Sequence, residues 1–150
     1  MVPKPTPRFH AARALEEPKV GVLSAVETVN PAIPSTLDAA ILSKMSERGQ
    51  IVGGVVDGPL AMDNAVDLEA AQSKGIVSAV AGRADILVAP NLEAGNMIAK
   101  ELTFVAHAEP GGVCVGAACP VILTSRADDE GARLASCAVA ALYDDWLRRR

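Results

Sequence analysis

A recurring order constrains this chain most: a short apolar run, a polar turn, then apolar residues at helical spacing. The stretch that shows it best is Val121-Ile122-Leu123-Thr124-Ser125-Arg126-Ala127-Asp128-Asp129, which reads as a strand, a hydroxyl–guanidinium pair and an acidic first helical turn. In open α/β sheets ligands bind outside the carboxyl ends of strands, so Ser125 and Arg126 stand where chemistry is usually done. An Arg there offers a rigid charged fork suited to phosphate or carboxylate oxygens. An ordinary strand–helix junction explains the same letters: Ser125 would cap the helix and Arg126 would pair with Asp129 or Glu130.

Earlier strand–loop–helix segments carry other candidates. Lys19–Val26 reads as a strand, and the loop at its carboxyl end holds Glu27 and Asn30. A helix is expected from Pro34, with Ser35 and Asp38 at capping-box spacing and Gly49 as its stop. Gln50–Val56 reads as the next strand, Asp57-Gly58-Pro59 as a turn, and Asp63-Asn64 as a polar pair beyond it. A helix over Asp67–Lys74 stops at Gly75, and Ala84–Ala89 is a further strand. The helix that follows runs to about Ala108, with Met97, Leu102, Val105 and Ala106 inward and Asn96 and Lys100 sharing one face. Val113–Ala117 and Pro120–Thr124 read as two strands. The longest helix, Ala127–Leu147, would turn Leu134, Cys137, Ala138, Ala141, Leu142 and Trp146 to a partner.

The order βαβαβαββα implies an α/β fold, a layered sheet with flanking helices. Aromatic residues are 3% of the chain, so the core must come from Ala, Val, Ile and Leu, the usual filling of a buried parallel sheet. Fourteen basic against 18 acidic side chains leave a net charge of −4, which argues against a nucleic-acid partner. The odd set Cys114, Cys119 and Cys137 has no zinc-like spacing, and small buried thiols are the expectation. No apolar run reaches membrane-spanning length and no signal-peptide core opens the chain, so a cytoplasmic protein is expected, without a metal. Residues 1–18, with four prolines and His10, read as a flexible lead-in.

Four segments in order resemble the phosphate acetyl/butyryl transferase family, nearer its phosphotransbutyrylase side. They are Leu23–Pro31, Asp57–Ala65, Pro90–Lys100 and Ile122–Asp128, and the resemblance runs from about Lys19 to the C-terminus. It implies reversible acyl transfer, acyl-CoA and phosphate giving acyl phosphate and coenzyme A, with no cofactor beyond coenzyme A as substrate. It further implies an isocitrate/isopropylmalate dehydrogenase-like fold, with 19–121 as the core of the second domain and 122–150 as the returning strand end and terminal helix. The family's serine–arginine pair falls on Ser125 and Arg126. A family aspartate thought to take the thiol proton would fall on Ala132, so Asp128 is its substitute here. Glu27, Asn30, Asp63, Asn64, Asn96 and Lys100 are the candidate substrate-binding residues. The family's N-terminal half is not matched, so the expected partners are a further copy or a missing domain on another chain. The rival expectation is a non-catalytic binding or dimerisation module.

Overall fold

A computed structural model describes residues 17–149, so most of the lead-in expected over 1–18, with His10, lies outside the described residues. They form two compact units, 17–96 and 97–149.

The first unit is an α/β unit around a three-stranded parallel sheet. Its elements are β1 (Lys19–Leu23), α1 (Pro34–Glu47), β2 (Val55–Leu60), α2 (Met62–Val66), α3 (Leu68–Ser73) and β3 (Ile86–Val88). The strand order is β2-β1-β3, which places the most buried strand, β1, in the centre. Val22 and Leu23 of β1 are buried with Leu60, Val80 and the small residues Ala39, Ala65, Ala71 and Ala81. This core is aliphatic, as the scarcity of aromatic residues required.

Two local expectations change. The second strand lies at 55–60 rather than 50–56, and Asp57-Gly58-Pro59 is inside it rather than a turn. Gly21 pairs with Asp57 and Leu23 with Leu60, so Gly58 and Pro59 together oppose Val22. Such a bulge accommodates a residue without an N–H, and β2 is an edge strand, where proline is tolerated. Gly58 is needed there: a Cβ would meet the Val22 carbonyl oxygen at 2.7 Å and the Ala39 methyl at 3.2 Å. The Asp57 carboxylate accepts from Ser43 Oγ at 3.0 Å, from the Gly58 N–H at 2.8 Å and from Ser78 Oγ.

The capping box also does not form. Helix α1 starts at Pro34 after an Ile33 cap, and no side chain caps it. Ser35 Oγ instead lies 2.8 Å from Ser24 Oγ, and buried Thr36 accepts from the Asn30 N–H at 2.9 Å. Gly49 does stop the helix, at φ 69°.

Helix α4 (Leu92–Phe104) spans the division between the units and buries none of its residues. Met97, Leu102 and Val105, expected inward, are exposed. In the second unit the strands expected over 113–117 and 120–124 do not form. A single antiparallel bridge joins Cys114 to Val121, and Val121, Ile122 and Leu123 are exposed. An apolar run becomes a strand only when it finds a pairing edge, and among the described residues this one pairs at Val121 alone.

Helix α5 (Glu130–Arg148) is capped by Asp129, whose Oδ1 accepts from the Ala132 N–H at 2.8 Å. It buries Ala132, Ser136, Ala140, Tyr143 and Trp146, while Leu134 (70% exposed), Cys137 and Leu142 (56%) face outward. The inward face is small in its first half, at Ala132, Ser136 and Ala140, where backbone packs on it closely. A Cβ on Gly111 would stand 3.1 Å from the Ala135 methyl, and the Gly112 N–H donates to Ser136 Oγ at 3.1 Å. Of the side chains expected to face a partner, Trp146 is buried, stacked on Tyr143 at 5.7 Å. All three cysteines are exposed, contrary to expectation. Among the described residues no helix is long and apolar enough to cross a membrane, and no group of three His, Cys, Asp or Glu could hold a metal.

Candidate functional site

In the first unit a polar cluster forms beyond the carboxyl ends of β1 and β2. Strand β1 ends at Leu23 and the chain turns through Glu27; β2 ends at Leu60 and feeds α2, which carries Asp63 and Asn64. Helix α2 has an acidic residue in its first turn, which the helix dipole favours. The short helix α3 then brings Lys74 back at its C-cap. Lys74 Nζ lies 2.9 Å from Asp63 Oδ2 and 3.3 Å from Glu27 Oε2. The same Glu27 oxygen accepts from Asn64 Nδ2 at 3.2 Å.

The charges set one another's titration. Its own backbone N–H, then Lys74, hold the Glu27 carboxyl below the usual glutamate value. The Lys74 hydrogen bond, with the Asn64 backbone N–H next, does the same for Asp63. Lys74 is raised above the ordinary lysine value, chiefly by Asp63 and then Glu27, against its partial desolvation. All three groups are therefore charged at neutral pH, with a net charge of −1 from two carboxylates and one ammonium.

Asn64 is different in kind. It has no exposed surface, its Nδ2 is paired, and its Oδ1 has no hydrogen-bond partner among the described residues. An unpaired buried acceptor costs about 1–3 kcal/mol, so it is an exception that calls for a cause.

The remaining sequence candidates are placed separately. Asn30 uses its Oδ1 to accept from the Ala32 N–H at 3.0 Å, a local turn contact. Asn96 and Lys100 are both exposed on α4, and Lys100 Nζ sits 5.5 Å from the centre of the Phe104 ring.

Ser125, Arg126 and Asp128 form a tight turn in the second unit. The Ser125 N–H donates to Asp128 Oδ2 at 2.7 Å, the Asp128 N–H to the Ser125 carbonyl at 3.1 Å, and the Ala127 N–H to Ser125 Oγ at 3.3 Å. Ser125 is thus not the cap of α5; Asp129 is. With Asp128 and Asp129 both bonded to backbone N–H groups, the exposed Arg126 makes no ion pair among the described residues. The turn leaves a guanidinium free on the surface beside a hydroxyl and a carboxylate. That arrangement can take an anion bidentately.

Lys74 is the residue that sequence reasoning missed. It stood as the last residue before a glycine stop, and its ten-residue separation from Asn64 crosses two short helices. No local periodicity links the two.

The family model described as phosphate acetyl/butaryl transferase matches residues 8–141. A phosphate acetyltransferase of Rhizobium meliloti is 65% identical over 132 residues, covering 88% of this chain and 42% of that protein. A phosphate butyryltransferase of Clostridium acetobutylicum is 55% identical over 131 residues, covering 87% of this chain and 44% of that protein. The crystal structure of a branched-chain phosphotransacylase from Enterococcus faecalis is 38% identical and superposes with a TM-score of 0.77, over 86% of this chain and 46% of that one. The chain spans less than half the length of these relatives, and over that span it belongs to the phosphate acetyl/butaryl transferase family.

Proposed function

We propose that this chain supplies part of the site of an acyltransferase that moves an acyl group between coenzyme A and phosphate. The fold is of the isocitrate/isopropylmalate dehydrogenase-like kind, with 19–121 in the second domain and 122–150 returning to the first. The observation that carries the proposal is the unpaired Arg126 on the Ser125–Asp128 turn. In the direction of acyl phosphate formation, a phosphate oxygen attacks the thioester carbonyl carbon. Charge develops on the carbonyl oxygen as the tetrahedral centre forms, then leaves with the sulfur. Arg126 faces the anionic oxygens, where a planar fork stabilises the developing charge better than a point charge does. Ser125 Oγ hydrogen-bonds the departing sulfur. In the reverse direction Asp128 takes the thiol proton with Oδ1, since Oδ2 is bonded to the Ser125 N–H. Asn30, Asn96 and Lys100 line the substrate's path. The reaction needs no prosthetic group, and a further copy of the chain or a separate domain completes the second wall.

A second reading, a non-catalytic binding or dimerisation module, is favoured by the exposed Leu134 and Leu142 on α5.

The experiment is a hydroxamate assay for acyl phosphate, with acetyl-CoA or butyryl-CoA and phosphate, alongside titration of phosphate by calorimetry. Arg126→Lys should cut turnover about 100-fold and weaken phosphate binding about tenfold. Equal turnover and equal phosphate affinity in parent and variant would overturn the proposal. The calorimetric arm stays readable where turnover requires the remaining length of the relatives.

A further inference from the structure

The outward face of α5 is apolar and has no cover among the described residues. Leu134, Cys137, Ala138, Ala141 and Leu142 are exposed along one side of the helix, opposite the buried Ser136, Ala140 and Tyr143. Leu134 and Leu142 close the two ends of this stripe, and the side chains between them are small. Small residues at mid-helix let the axis of a second helix come close.

The charges beyond the stripe say which way such a helix runs. Glu130 lies at the N-terminal end, exposed, and its side chain makes no hydrogen bond or ion pair among the described residues. Arg148 lies at the C-terminal end, where its Nε donates to Asp144 Oδ2 at 2.6 Å. A guanidinium has further N–H donors, so Arg148 can take a second carboxylate. Glu130 and Arg148 stand a whole number of turns apart at about 3.6 residues per turn, and so lie on the same edge of the stripe. A parallel pair of such helices sets glutamate against glutamate and arginine against arginine. An antiparallel pair sets Glu130 of each copy across from Arg148 of the other, with the helix dipoles opposed.

We propose that a second copy of this chain docks antiparallel on the outward face of α5. The contact is isologous and closes at two copies. One helix face on another is smaller than a standard interface, so the dimer dissociates in the micromolar range. This rests on the exposed leucines of the second reading above, and it supplies the partner and its orientation. It uses neither Arg126 nor phosphate.

Sedimentation equilibrium of the full 150-residue chain, with its thiols reduced, tests the pairing. A monomer–dimer equilibrium without larger species is expected. Leu134→Lys, at an exposed site, should weaken the dimer about tenfold or more. Glu130→Arg should weaken it about threefold, and adding Arg148→Glu to that variant should restore the parent value. A short bis-maleimide should link the two Cys137 thiols in a Cys114→Ser, Cys119→Ser background, since both lie near the centre of the antiparallel contact. This cross-link reads the pairing without the charge variants or Leu134→Lys, should any of those fail to fold. A monomer throughout the micromolar range, or a dimer that Leu134→Lys leaves unchanged, would overturn the proposal and leave the transferase reading standing. A dimer that Glu130→Arg does not weaken, or that the double change does not restore, would overturn the antiparallel orientation. Acyl phosphate formation by a chain that pairs as expected would remove the non-catalytic reading and keep this surface.

Discussion

The two units of this chain differ in how they meet the same demand. In 17–96 the strand β1 has a parallel partner on each side, and its Val22 and Leu23 are buried, as are Leu60, Val80 and Ala81. In 97–149 an equally apolar run, Val121–Leu123, has one bridge to Cys114 and stays exposed. The second unit is held instead by one face of α5 on its own preceding loop. Apolar sequence sets a tendency, whereas a pairing edge decides whether backbone polar groups are satisfied as a sheet. The candidate sites divide along the same line: a packed, ion-paired cluster in the first unit and an open turn with a free guanidinium in the second.

Substitutions that probe packing should separate the units most. Leu60→Ala removes a fully buried side chain from the sheet core and should cost about 2–5 kcal/mol in urea unfolding. Leu134→Ala on α5, at a site 70% exposed, should stay within about 0.5 kcal/mol. Equal losses at the two positions would erase the contrast between a closed core and an open helix face.

A smaller effect is expected from Gly58→Ala. The added methyl would press on the Val22 carbonyl at the bulge, and overpacking of that kind costs about 1–3 kcal/mol. Thermal melting of the variant checks it, and an unchanged midpoint would mean that β2 relaxes freely. Asp129→Ala should cost about 0.5–2 kcal/mol through loss of the α5 cap. Because Tyr143 and Trp146 both lie on α5, the tryptophan emission should report this loss, while amide exchange at Val22 and Leu60 should not.

The smallest expected effect is electrostatic. Glu27 and Asp63 titrate below their ordinary values, so their contribution is complete above the ordinary carboxylate pKa of about 4 and is lost as pH falls below it. Lys74 titrates above its ordinary value, so its share is complete below pH ~10.4 and is lost as pH rises beyond it. These groups are partly exposed, and salt should screen the effect. Urea midpoints from pH 3 to 7 should decline toward acid in the parent and decline less in Lys74→Met. Identical profiles would remove Lys74 from the cluster's electrostatics.

The parallel sheet, its aliphatic core and the glycine stop at Gly49 were legible in the sequence, because each follows from composition, spacing or a local backbone need. The position of β2 was not. Asp57-Gly58-Pro59 has the letters of a turn, and only the paired strand turns it into a bulge. The inward face of α5 was misjudged by a rotation of the helix: Leu134, Cys137 and Leu142 were read as inward, but Ala132, Ser136, Ala140 and Tyr143 are buried, with Trp146 alone shared by the two sets. Of the site, Glu27, Asp63 and Asn64 could be named from loop and strand-end position, and the structure joins them. The fourth member, Lys74, and the unanswered oxygen of Asn64 depend on tertiary packing that no spacing encodes.

The central claim is that the open turn of the second unit takes the anion at Arg126, while the packed, ion-paired cluster of the first unit does not. Nuclear magnetic resonance of the Arg126 Nε–H and the Asn64 side-chain amide, followed as phosphate is added, tests this most directly. Phosphate should shift Arg126 and leave Asn64 unmoved. A phosphate-driven shift at Asn64 with Arg126 unmoved would contradict it.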